Sequence, residues 1–175
     1  MATRSFEYQP APEATDHVSI ADRYGLFIGG KFVEPRSRKW FPTINPATEA
    51  TLSHVAEALE ADVDRAVEAA AKAQESWGRL SPARRARYIL RLSRIIQERA
   101  RELAVLETMN GGKPIKESRD VDVPLAAAHF FYYGRWADKL EWGFPNRSPR
   151  PVGVCPPAIP WTFPLLILAW QIAPA

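Results

Sequence analysis

The chain has 175 residues, enough for one domain or a small domain with an arm. Hydrophobic residues make up 46% and charged residues 25%, which excludes a fully disordered chain and a disulfide scaffold. The net charge of +3 permits anionic partners without requiring them, and the single cysteine, Cys155, cannot bridge internally, which favours a reducing compartment.

Residues 1–20 mix Pro, Glu, Thr and Ala without periodicity and read as a flexible tail with no secretory core. Leu26-Phe27-Ile28, Gly29-Gly30 and Lys31-Phe32-Val33 form a hairpin signal, because Gly-Gly supplies the positive φ angles of a two-residue turn. Trp40 to Ile44 is a second strand pattern, Asn45-Pro46 a turn, and Thr51 to Ala56 a third strand. A small β layer therefore opens the chain.

Helices follow. Ala61 to Trp77 carries Val63, Ala66, Val67, Ala70 and Ala73 at helical spacing, with Asp62 and Asp64 at the positive end. Ser81-Pro82 predicts a capped helix start, running to about Glu98 and burying Tyr88, Ile89, Leu92, Ile95 and Ile96. Ala100 to Met109 is helical and stops at Asn110-Gly111-Gly112. Ile115 to Leu140 is helical again, with a break at Pro124, and its Tyr132, Tyr133 and Trp136 read as core. Pro145 to Pro151 is an extended link.

The last stretch is unusual. From Pro151 to Ala175 no residue is charged, and six of the sixteen prolines fall there. Those prolines argue against a membrane span. Val152 to Val154 predicts a strand, continued or followed by another at Ala158-Ile159, and Phe163 to Ala173 a buried helix. Ending on an apolar helix suggests the front part of something longer.

Candidate chemistry is sparse. Seven arginines lie between Arg84 and Arg101, and Arg84, Arg87, Arg91 and Arg94 share one helical face. They read as a solvated face that Glu98 and Glu102 can pair, not as a nucleic-acid site, since no aromatic platform accompanies them. His17, His54 and His129 have no partner at metal-ligand spacing, so no metal is expected. Cys155, among Val154, Pro156 and Pro157, has no local base and reads as a small buried filler at a strand end. The turn Pro160-Trp161-Thr162-Phe163-Pro164 points backbone N–H groups toward a possible ligand crevice.

With these residues in place, the chain resembles the N-terminal portion of NAD(P)-dependent aldehyde dehydrogenases. The matching stretches are Leu26 to Val33, Thr43 to Thr48, Asp62 to Val67, Leu106 to Pro114, Arg135 to Lys139, Pro151 to Val154 and Ile159 to Leu166, colinear from about residue 24 to the end. The resemblance implies an α/β fold: a small β layer, helices and the start of a Rossmann-like coenzyme domain, incomplete in this chain. It assigns 21–140 to the N-terminal part of the coenzyme-binding domain and 141–152 to the start of a shortened oligomerisation arm. Residues 153–175 become the first strand and truncated helix of the coenzyme and substrate crevice.

The resemblance also implies roles. Ile159, Pro160 and Trp161 would line the NAD or NADP site near the nicotinamide. Phe163, Ile167 and Trp170 would line an aldehyde tunnel, where aromatic walls suit an apolar substrate. Thr162 stands where the family has an asparagine that donates to the substrate oxyanion. Losing such a donor costs about 10²–10³ in rate, and a threonine hydroxyl donates over a shorter reach. Gln171 stands where lysine is common, and Pro156-Pro157 replaces a more flexible pair. The family nucleophilic cysteine, water-activating glutamate and coenzyme lysine have no counterpart in these residues, so the chain alone is expected to be inactive. The expected setting is cytoplasmic, with a small aldehyde as substrate of the complete enzyme and no membrane or nucleic-acid partner. Expected partners are a second copy, a C-terminal chain or a full-length relative. The competing expectation is a non-catalytic partner that regulates such a relative.

Overall fold

A computed structural model describes residue 11 and residues 13–175 of the chain. Most of the expected flexible tail, residues 1–10 and 12, lies outside the described residues. The described part of that tail holds one turn of 3₁₀ helix at Thr15–His17, and Glu13 pairs with Arg119.

The β layer forms as the alternation predicts. Strands β2 (Leu26–Ile28) and β3 (Lys31–Val33) pair antiparallel, Leu26 opposite Val33. Gly29 and Gly30 supply the two positive φ angles of the connecting turn, 62° and 81°. A second sheet has three strands. In it β4 (Trp40–Ile44) lies antiparallel to β5 (Thr51–Ala56), and β1 (Arg23–Tyr24), too short for a sequence signal, lies parallel to β5.

Helix α1 spans Glu60–Gly78. Buried Asp62 in its first turn accepts from the Leu59 and Arg36 backbone N–H groups and pairs with Arg65 at 3.0 Å. That carboxylate meets the positive end of the helix, as its position predicts. The apolar stripe of α1 is not core: Val63 and Val67 are exposed. Helix α2 (Pro82–Glu98) starts with Pro82 in its first turn, but the Ser81 hydroxyl makes no capping bond. The Ser81 carbonyl instead accepts from Arg84 and Arg85.

Helix α3 (Ala100–Gly111) stops where Gly112 turns left-handed, φ 73°. A β-carbon there would stand 2.5 Å from Pro46 Cγ, so the stop is also a point of close approach to the β4–β5 turn. A short helix α4 (Ile115–Glu117) leads through a π-helical turn (Ser118–Asp122) into α5 (Val123–Trp136). The predicted break therefore exists, but it falls just before Pro124, which sits in the first turn of α5 where its missing N–H costs nothing. Helix α6 (Leu140–Gly143) and an irregular stretch follow, ending in α7 (Pro164–Ile172).

The core is a close-packed set of small and branched side chains: Ile96, Ala104, Val123, Ala126, Ala127, Phe130, Ala169 and Ala173. It joins α2, α3, α5 and α7. Ser93 is buried in it and donates to the Ala127 carbonyl at 2.8 Å, so its hydroxyl is satisfied.

Two expectations are corrected. Residues 147–160 form no strand, and Val152 to Val154 and Ala158-Ile159 carry no ladder bonds. Strand conformation needs a neighbouring edge, and among the described residues none lies beside them. Tyr88, Leu92, Tyr132 and Trp136 are not core but exposed. They are apolar at core spacing, and contacts such as that of Trp77 of α1 with Tyr88, ring centroids 5.9 Å apart, leave them largely uncovered.

Candidate functional site

The candidate site lies at the entry to α7. Pro160 to Phe163 makes the predicted turn, and the Phe163 carbonyl accepts from Ile167 at 2.9 Å. From there α7 divides by period 3.6. Leu166, Ala169 and Ala173 face the core and are buried. Phe163, Ile167 and Trp170, one turn apart on another face, are exposed or half-buried. Trp170 stacks on His129 of α5, ring centroids 5.6 Å apart and 21° off parallel.

Ahead of the turn, Ile159 is exposed and Trp161 is 76% exposed. Pro160 and Thr162 are exposed as well. The seven residues singled out by sequence thus fall on one continuous path, 159–163 and then along α7. The three nearest the expected coenzyme site are open to solvent. They offer a flat ring and apolar side chains, which fit the face of a nicotinamide ring. Nothing from residue 151 onward is charged, so this stretch offers a pyrophosphate no cationic side chain.

The segment before the turn is tied back to α7. Gln171 Nε2 donates to the Ala158 carbonyl at 3.2 Å, which gives the unusual glutamine a structural role. Cys155 is exposed, not a buried filler, because the strand that would have buried it does not form. Its Sγ lies 3.7 Å from the Gly153 carbonyl oxygen.

Beneath the turn lies a feature that sequence reading missed. Lys113 Nζ donates to Asp122 at 2.5 Å and to Glu107 at 3.2 Å. The three side chains are 11%, 2% and 4% exposed. The ammonium also lies 4.1 Å from the centroid of the Phe163 ring, a cation–π contact. The Leu165 backbone, in the first turn of α7, favours the charged form of Glu107, by less than burial opposes it. Burial raises the Glu107 carboxyl above its ordinary pKa, more than Lys113 lowers it. For Lys113 burial is the largest single influence and pulls the pKa down, but hydrogen bonds to Asp122 and Glu107 outweigh it, and the net shift is upward. The available signal was position: Glu107 falls three residues after buried Ala104, on the inward face of α3.

Two further surfaces flank the site elements. An open groove of about 1160 Å³ runs between α2, α5, α6 and the end of α7, lined by Trp77, Tyr88, Leu92, Tyr132, Trp136 and Leu140 among others. The arginine face behaves as predicted in part: Arg91 pairs with Glu98 at 3.3 Å and Arg99 with Glu102. Among the described residues no three acidic, histidine or cysteine side chains cluster to hold a metal ion. No helix among them is long and apolar enough to cross a membrane.

A β layer feeding a helical core, with a proline-bracketed turn at the head of an apolar helix, defines a mixed helix-and-strand segment. The family model described as "Aldehyde dehydrogenase family" matches residues 32–175, and the chain belongs to that family. It is similar to DhaS of Bacillus subtilis (strain 168), 44% identical over 160 residues, covering 86% of this chain and 32% of that protein. It is similar to an aldehyde dehydrogenase of Alternaria alternata, 40% identical over 160 residues with the same coverage. Among solved structures it superposes on the NAD+ complex of an aldehyde dehydrogenase from Bacillus cereus with TM-score 0.73 and 34% identity, covering 86% of this chain and 33% of that one. The chain therefore spans about a third of the length of the relatives it matches.

Proposed function

We propose that these residues supply the N-terminal segment of an NAD(P)-dependent aldehyde dehydrogenase, which oxidises an aldehyde to a carboxylate. The observation that carries the reading is the family match running through the site itself, from residue 32 to residue 175. The complete enzyme binds the nicotinamide against Ile159, Pro160 and Trp161. The coenzyme supplies the hydride acceptor. Phe163, Ile167 and Trp170 wall the path of an apolar aldehyde, and the Thr162 hydroxyl donates to its oxyanion. The similarity to an NAD+ complex supports NAD as the coenzyme. The proposed partition is 21–140 in the coenzyme domain, 141–152 at the start of the arm and 153–175 at the crevice. The single cysteine supports a cytoplasmic setting.

Residues 1–175 alone do not turn over. Their only thiol, Cys155, is exposed on an irregular segment and its recorded contact is a carbonyl oxygen, not a base. The test is NADH formation from NAD and a series of aldehydes by purified 1–175, alone and mixed with a chain equivalent to the remaining two thirds of a relative. No activity alone and activity on mixing are expected. Aldehyde-dependent NADH formation by 1–175 alone would sink the claim of inactivity. A stable mixed complex without turnover would remove the enzyme reading.

A second reading has its own observation, the exposed aromatic groove between α2 and α5. In it the chain docks on a full-length relative and regulates it. A stoichiometric complex with that relative, altering its rate, supports this; no co-elution removes it.

A further inference from the structure

We infer that Glu107, Lys113 and Asp122 are positioning residues for the Trp161–Phe163 turn: the two carboxylates fix the Lys113 ammonium, and the ammonium holds the Phe163 ring. That the turn serves an aldehyde site rests on the proposed function; that this cluster sets its position does not.

The geometry supports a positioning role more than a stabilising one. Three ionisable side chains at 11% exposure or less are an expensive way to fill space, since apolar residues of similar volume usually stabilise a buried site as well or better. What apolar residues cannot do is face two directions at once. Lys113 comes from the loop just after α3, Glu107 from α3 and Asp122 from the π-helical turn. Asp122 and Glu107 together hold the ammonium, at 2.5 and 3.2 Å, where it meets the Phe163 ring. The cluster thus fixes the side chain that ends the turn. Thr162 and Trp161 have no comparable burial, so their placement depends on what holds Phe163. Thr108 of α3 donates to Ser118 of the π-helical turn at 2.9 Å, which keeps the two carboxylate-bearing elements in register.

The test uses the 175-residue chain and amide hydrogen exchange. Glu107→Gln removes one of the two carboxylates that fix Lys113 and is expected to speed exchange at Ile167, whose N–H bonds the Phe163 carbonyl, about 10-fold. Amides inside α5, such as Ala126 and Phe130, should change far less. Equal acceleration at Ile167 and throughout α5 would show a general stabilising role and overturn the inference. A variant safe for folding is Phe163→Leu, because that ring is 42% exposed. It should abolish the upfield ring-current shift of the Lys113 side-chain protons. Unchanged Lys113 signals would overturn the contact. None of these readouts depends on coenzyme or aldehyde, so failure of the proposed function leaves them intact.

Discussion

Two regions of this molecule reverse the usual placement of side chains. At the head of α7 three charged groups are buried, and every one has a partner. Across α2 and α5, Tyr88, Leu92, Tyr132 and Trp136 are apolar or aromatic and face solvent. The difference teaches which surfaces the chain completes by itself. Polar satisfaction is a local matter here: α3, the loop after it and the π-helical turn supply the ammonium and both carboxylates. Apolar coverage is not, and the described residues leave these side chains open to solvent. Buried ionisable groups are costly unless paired, whereas scattered exposed apolar groups cost little. The two regions should therefore respond to change very differently.

The largest effect is expected from breaking the ion cluster. Lys113→Met leaves two carboxylates buried without their cation and should cost about 3–5 kcal/mol, read as a lowered urea midpoint. Next comes Gly112→Ala. It forces a left-handed φ on a residue with a β-carbon and drives that carbon toward Pro46 Cγ, for about 2 kcal/mol. The same urea titration checks it.

A smaller effect concerns pH. The folded Glu107 carboxyl titrates above its ordinary value of 4.5, so just above pH 4.5 the folded state holds more protons than the unfolded one. Stability from this group is present below pH 4.5 and lost as pH rises through the folded value. Lys113 has the same sign at alkaline pH, its contribution being lost as pH rises through a folded value above 10.5. Urea midpoints across the mildly acidic range should fall more steeply with pH in the wild-type chain than in Glu107→Gln; parallel curves would contradict the sign. The smallest stability effect is expected in the groove. Leu92→Lys should change stability by no more than about 0.5 kcal/mol yet reduce binding of an apolar fluorescent dye. A large loss of stability would mean that this face is core after all.

The fold was legible where local chemistry decides it. Gly29-Gly30, the alternation of Thr51 to Ala56, Pro82 at a helix start and Gly112 at a helix end each name their structure with neighbours close in sequence. It was illegible where distant neighbours decide. Val152 to Val154 has the composition of a strand but no edge to pair with, and Tyr132 and Trp136 have core spacing but stay exposed. At the candidate site, the residues from Ile159 to Trp170 share one stretch of surface because they are close in the chain. The cluster beneath them was illegible. Glu107, Lys113 and Asp122 meet only after α3 and the π-helical turn fold back, and an isolated charge on a helix reads as a solvated one. The 3.2 Å bond from Gln171 to the Ala158 carbonyl was hidden for the same reason.

We propose that the turn at residues 159–163 is one wall of an aldehyde dehydrogenase site in which Thr162 serves as the oxyanion donor. It is tested most directly by fusing residues 1–175 to the remaining part of DhaS and following NADH formation. The fusion is expected to oxidise aldehydes slowly, and Thr162→Asn to raise its kcat, by up to the 10²–10³ that a well-placed donor amide contributes. A folded fusion that binds NAD, yet oxidises no aldehyde with either threonine or asparagine at position 162, would contradict the account.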